Sequence, residues 1–135
     1  MADEVRVAIE SDDDVVVARS KARELAAALG FGGTDLTLLA TAISEIARNI
    51  TAYARRGEVC ITTVRRGRRS GIKVVASDHG PGIADLELAL RDGYTSGNGL
   101  GLGLPGARRL MDEFDVDTAV GRGTTVTMLK WGPEA

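Results

Sequence analysis

The stretch "SEIARNI" sets Glu45 and Asn49 four residues apart. In an α-helix that spacing stacks the two side chains on one face. At about 100° per residue, this face lies a quarter turn or more from the centre of the apolar stripe Leu36, Leu39, Ile43, Ile46, Ile50, Tyr53. A carboxylate above a carboxamide at the border of a buried stripe can offer two oxygens to one small site. A solvated Glu and a helix-surface Asn account for the same pair.

Three glycine-bearing stretches follow. "SDHGPGI" comes directly after a strand pattern and places Asp78 at a sheet edge, with Gly80 and Gly82 letting backbone approach a flat ligand. A tight turn has the same composition. "GRGT", Gly121 to Thr124, reads as a hairpin turn carrying one hydroxyl. "DGYTSGNGLGLGLPGARRL" has glycine at 93, 97, 99, 101, 103 and 106 ahead of a helical pattern. Such a run loses much backbone freedom on folding. It is either a flexible surface loop or a cradle for phosphate at a helix N-terminus.

The common cradles do not fit. Gly101, Gly103 and Gly106 match GxGxxG, but loop rather than strand precedes them and no acid stands some twenty residues on. A P-loop lacks its GK[ST], and a protein-kinase glycine loop lacks its HRD segment.

The elements that would position these residues are legible. "VRVAI" alternates as a strand. "SDDDVVVARSKARELAAALG" reads as a helix with capping candidates Ser11 and Asp12, an apolar stripe Val15, Ala18, Ala22, Leu25, Leu29, and Gly30 as its end. A second helix starts with Thr34 as N-cap. "EVCITTVR" and "GIKVVAS" form a hairpin across the basic turn "RGRRSG". Arg65–Arg69 is then a charged hairpin tip or a docking patch for an acidic partner. "DLELALRD" is a short helix, and another runs from Pro105 to about Phe114, with proline suited to its first turn. "DVDTAV" and "TTVTMLKW" close the chain as a second hairpin. Helices grouped early and in the middle, with strands as hairpins, predict an α/β (α+β) two-layer sandwich with a mixed, mostly antiparallel sheet and helices on one face.

Bulk properties set limits. The 135 residues, 44% hydrophobic and 27% charged, predict a single domain over 1–135. A net charge of −2 gives no footprint for nucleic acid. No apolar run is long enough to span a membrane, and "MADEVR" is no signal peptide, so a cytoplasmic protein is expected. With one cysteine, Cys60, and one histidine, His79, a His/Cys zinc site and thiol–imidazole chemistry are excluded. Cys60 is expected as a buried, reduced thiol. His79 is expected as a turn residue.

Taken in order, Glu-x-x-x-Asn on a helix, Asp-x-Gly-x-Gly after a strand, Gly-x-Gly-x-Gly before a helix and Gly-x-Gly-Thr in a final hairpin resemble the GHKL (Bergerat) ATP-binding fold of gyrase, histidine kinases and MutL, over nearly the whole chain. More narrowly, "GFG", "TAISEIARNI", "DHGPGI", "GLGLPGARRLMDEF" and "LKW" resemble the small serine kinases of bacterial partner-switching pathways, the stressosome switch kinases of the RsbT type. The resemblance implies ATP and Mg²⁺ as cofactors. It implies that Asp78 accepts a hydrogen bond from the adenine amine, with Gly80 and Gly82 permitting close approach, and that Asn49 is a ligand of Mg²⁺. It implies Glu45 as general base toward a serine hydroxyl, Gly99, Gly101 and Gly103 as lid amides facing phosphates, and Thr124 as a hydroxyl behind the adenine. Its implied partners are a STAS-domain antagonist as phosphoacceptor and a PP2C-type phosphatase or similar output protein. The alternative is an anti-sigma-type, nucleotide-gated binding module that sequesters a sigma factor with little or no phosphotransfer. One departure stands out: Asp92–Leu104 contains no Lys or Arg, where sporulation-type relatives carry an arginine. Arg48, Arg108 and Arg109 are the nearest candidates for that charge, the latter two equally readable as a solvated helix face.

Overall fold

The computed structural model describes residues 4–85, 89–90 and 103–134. In chain order its elements are β1 (Glu4–Ile9), α1 (Asp12–Ala28), α2 (Gly33–Asn49) continued by a π-helical turn (Ile50–Ala54), β2 (Gly57–Arg66), β3 (Arg69–Asp78), α3 (Gly103–Leu110), β4 (Glu113–Ala119) and β5 (Gly123–Glu134). The strands form one sheet in the order β1-β2-β3-β5-β4. Every pairing is antiparallel, so the parallel component of the expected mixed sheet is not found among the described residues.

Alternation sorts the sheet's faces. Val7, Ile9, Val59, Ile61, Ile72, Val74, Val126 and Met128 turn toward the helices and form the core with Val15, Ala18, Ala22, Leu39 and Ile43. Burying such side chains contributes roughly 1.5–3 kcal/mol each for the larger ones and dominates the folding energy. Cys60 belongs to the other set. It stands between Val59 and Ile61 on the opposite face, half-buried, with its Sγ 3.9 Å from the Thr62 hydroxyl. The expectation of a buried thiol fails there because strand periodicity aims it away from the helices.

Helix α1 starts after Ser11, whose side chain makes no cap bond. The Asp14 carboxylate instead accepts the Glu10 N–H at 2.8 Å. Its end is a Schellman arrangement, with Gly30 N bonded to Ala27 O and Phe31 N to Ala26 O. Phe31 is thereby folded back into the core.

The N-cap of α2 is Gly32, not Thr34, which lies one residue inside the first turn. Leu36 donates its N–H to the Gly32 carbonyl at 2.9 Å and so defines that start. From Leu39 to Ala47 the helix is buried on nearly every side except Thr41, because α1, α3 and the sheet all pack against it. Past Asn49 the α-pattern gives way to the π turn, which breaks the 100° phase. Tyr53, expected on the apolar stripe, is therefore 49% exposed. The turn ends at Arg55, a non-glycine residue at φ 72°.

The helix expected to reach Phe114 stops at Leu110. Lys130, buried on the helix side of β5, donates Nζ to the Leu110 carbonyl at 3.1 Å and closes that end. Asp112 then bonds β5 through both its amide (to Leu129 O, 2.9 Å) and its carboxylate (from Trp131 N, 2.7 Å), drawing the chain into β4. The helix expected over Asp85–Asp92 lies largely outside the described residues. Within them, Ala89 N bonds Asp85 O at 3.1 Å, the i to i−4 bond of a helical turn.

The β2–β3 turn is a charged tip. Arg66 pairs with Glu113 at 3.2 Å and its guanidinium lies 4.8 Å from the Trp131 ring centre, with that of Arg69 at 5.7 Å.

The β4–β5 hairpin is locked to the loop after β3 at two glycines. A side chain on Gly82 (φ +77°) would overlap the Ala119 carbonyl, and one on Gly123 (φ +95°) would overlap that of Asp78. Both positions join left-handed backbone to direct contact with another main chain. Gly123→Ala is expected to cost about 2–4 kcal/mol, combining the φ penalty with overpacking against rigid backbone. Gly121 at φ +81° has open space around it. Gly121→Ala should therefore lose only the φ part, about 1–2 kcal/mol, when both variants are compared by urea titration.

Candidate functional site

Two clusters form among the residues singled out by sequence. The first is at the end of β3. Asp78 Oδ1 accepts the Gly80 N–H at 2.9 Å and the Thr124 N–H at 3.2 Å. This single oxygen closes its own loop and ties it to the start of β5. The loop is clasped again where Gly121 N bonds Pro81 O at 2.9 Å. Gly80 lies against Ala54 of the π turn, where an added Cβ would stand 2.6 Å from the Ala54 Cβ. Gly82 packs on Ala119. The bareness of both glycines thus serves protein backbone contacts first.

Sequence reasoning missed Thr118. Its hydroxyl accepts the Ile83 N–H at 3.0 Å, lies 3.1 Å from the Gly123 carbonyl and 2.9 Å from the Thr124 hydroxyl. Thr118 and Thr124 are register partners across the final hairpin. The signal was available, since the two threonines stand three residues either side of Gly121. His79 is exposed in the turn, as expected.

The second cluster joins α2 to α3. Glu45 is only 7% exposed. Its Oε2 accepts the Gly103 N–H at 3.0 Å, and its Oε1 accepts Arg48 Nη1 at 3.1 Å. Gly103 opens α3, so the carboxylate sits at that helix's N-terminus, where amides lack intrahelical partners and the dipole favours negative charge. Sequence periodicity puts Glu45 at the border of a stripe; packing of α3 on α2 is what buries it. Gly99 and Gly101 lie outside the described residues.

The end of α2 connects the clusters. Ile50 Cγ2 and Asp78 Cβ both border Gly57, and Ala54 borders Gly80. Asn49, half-buried, precedes Ile50 on this segment. From Glu45 to Ile50 the helix rises about 7.5 Å. Along this segment the start of α3 meets Glu45 at one end, Asn49 lies between, and Ile50 and Ala54 border the strand and loop of Asp78 at the other. Arg108 and Arg109 are exposed on the later part of α3, and Arg108 Nη2 donates to Leu90 O at 3.1 Å. Arg48 pairs with Glu45 at 3.1 Å.

The family model for the histidine kinase-like ATPase domain matches residues 9–130. The chain belongs to that family. This ATPase domain is 44% identical over 131 residues to Serine/threonine-protein kinase RsbT of Bacillus subtilis, covering 97% of the chain and 98% of that protein. It is 29% identical over 103 residues to an Anti-sigma F factor of Thermoanaerobacter, covering 72% of the chain and 71% of the relative. Among solved structures, the RsbU and RsbW domains of a Mycobacterium tuberculosis protein superpose with a TM-score of 0.64 at 19% identity, covering 99% of the ATPase domain and 34% of that chain. The ATPase domain thus spans about a third of that structure's length. The mycobacterial sensor histidine kinase MprB superposes with a TM-score of 0.58 at 20% identity over all of both chains. These two likenesses establish the fold. Membership in the family carries ATP binding with it.

Proposed function

We propose that this protein serine/threonine kinase of the partner-switching kind transfers phosphate from ATP to a serine of a STAS-domain antagonist, and thereby changes partners to activate a PP2C-type phosphatase or similar output protein. The near full-length match to Serine/threonine-protein kinase RsbT supports the activity. One observation of the structure carries the mechanism: a buried carboxylate, Glu45, meets the amide that opens α3. ATP supplies the phosphoryl group.

In this reading Glu45 takes the proton of the serine hydroxyl. A carboxylate is a weak base toward an alcohol, so positioning contributes much of the rate. Asp78, with Oδ1 committed to two amides, offers Oδ2 to the adenine amine. Gly80 and Gly82 shape that loop, and the Thr118–Thr124 hydroxyl pair backs it. By the family resemblance the amides of Gly99, Gly101 and Gly103 would face the phosphates, and Gly103, the one among the described residues, opens α3, whose dipole favours an anion there.

The donor set fits Mg²⁺ shared with a nucleotide. Among the described residues no three His, Cys, Asp or Glu side chains are grouped to hold a metal by themselves. Asn49 offers one neutral oxygen, which suits a hard cation that keeps waters and phosphate oxygens as its other ligands. Asn49→Ala is expected to remove most of the Mg²⁺ dependence of ATP binding, weakening it roughly tenfold, in calorimetry with and without the metal. An unchanged metal dependence would take Asn49 out of that role.

The deciding experiment incubates the protein with Mg²⁺, radiolabelled ATP and candidate STAS-domain proteins, then maps the labelled residue. A phosphoserine on one of them is expected. A second reading, an anti-sigma-type module that binds a sigma factor under nucleotide control, has support in the likeness to Anti-sigma F factor. It predicts nucleotide-dependent capture of a sigma factor with no label transferred. Either reading implies a cytoplasmic setting, in keeping with described helices none of which is long and apolar enough to cross a membrane.

A further inference from the structure

Arg48 and Asn49 flank Glu45 on the next turn of α2, about 60° to one side and 40° to the other. The guanidinium of Arg48 holds Glu45 Oε1 at 3.1 Å, while Gly103 N holds Oε2 at 3.0 Å. These two restraints differ in kind. The Gly103 bond comes from another element and depends on where α3 begins. The Arg48 bond is internal to α2, three residues along, and keeps its geometry whatever α3 does.

We propose that Arg48 is a positioning residue for phosphotransfer: it fixes the Glu45 carboxylate and offsets its buried charge when the α3 amides turn to phosphate. The inference rests on Glu45 being the base. A glutamate has three side-chain torsions, and an unheld base loses the orientation on which an intramolecular proton transfer depends. Burial adds a second demand, since a carboxylate out of water needs a partner charge or donors. Arg48 answers both. Its own side chain is 50% exposed, so the ion pair contributes little to folding and its effect falls on turnover. Only Nη1 makes the contact, so charge matters more than the guanidinium's forked shape.

The test compares Arg48→Gln and Arg48→Lys, using the STAS-domain protein that accepts label in the experiment above. Arg48→Gln is expected to lower kcat about 10–100-fold, with KM for ATP and the thermal midpoint nearly unchanged. Arg48→Lys should recover kcat to within about fivefold of the parent, since it restores the charge. In the double variant Glu45→Gln/Arg48→Gln the second change should add nothing, because Arg48 acts through Glu45. Arg48→Gln turnover within twofold of the parent would overturn the proposal, as would parallel losses in ATP affinity and thermal midpoint, or a double variant slower by the product of both effects. Parent-like turnover by Glu45→Gln alone would instead overturn the base assignment beneath it.

Discussion

Glu45→Gln is expected to lower phosphotransfer by about two to four orders of magnitude while leaving ATP binding nearly intact. Glutamine matches glutamate in size and keeps a carbonyl oxygen, so the Gly103 N–H retains an acceptor. It cannot take a proton from a serine hydroxyl. Glu45→Ala is the blunter experiment. It leaves the first amide of α3 without its partner, at a cost of about 1–3 kcal/mol, and so mixes loss of a base with loosening of a helix start. Both variants are to be followed by label transfer under single-turnover conditions and by nucleotide titration. Transfer by Glu45→Gln at the parent rate would leave Glu45 as a structural cap for α3 alone.

At the other end of α2, Asp78→Asn should separate binding from folding. Oδ1 accepts both amide bonds, from Gly80 and Thr124, and a carboxamide oxygen can do the same. Its nitrogen then replaces Oδ2 and presents a donor to the donor of an adenine amine. The mismatch is expected to weaken ATP roughly tenfold to a hundredfold with the unfolding midpoint nearly unchanged, read by calorimetry and urea titration. Asp78→Ala removes the acceptor as well. It should lose nucleotide binding and also about 1–3 kcal/mol of stability, since two half-buried amides are left unpaired and the loop after β3 loses its tie to β5. ATP bound equally well by Asp78→Asn would mean that this carboxylate serves the loop and not the nucleotide.

Both variants act on contacts that no residue pattern displays. "DHGPGI" announced a turn with a carboxylate, yet the role of Asp78 in holding Thr124 links residues 46 apart. Thr118 escaped notice because a threonine in a strand is unremarkable until its register partner is known. Gly123 looked like ordinary hairpin chemistry, and its contact with the Asp78 carbonyl appears only in three dimensions. The misplaced boundaries have the same origin. Thr34 is a good cap by type, but Gly32 stands where the chain enters α2. The helical pattern up to Phe114 is overruled by Lys130 and Asp112, which bind α3's end and the following chain to β5.

What the residue order settled alone is whatever depends on neighbours a few positions away. Alternation in "VRVAI", "EVCITTVR" and "TTVTMLKW" sufficed for the strands, and three-and-four spacing sufficed for α1 and α2. The four motifs in series sufficed for the family, whose model matches residues 9–130. Tertiary structure alone decided the burial of Glu45, its bond to the Gly103 amide and the closure of the Asp78 loop on the last hairpin. Helix and strand periods say which way a side chain leaves its own backbone. They are silent on which distant element arrives to meet it, and here the arrival of α3 on α2 buries a carboxylate that helix geometry by itself would leave at the edge of solvent.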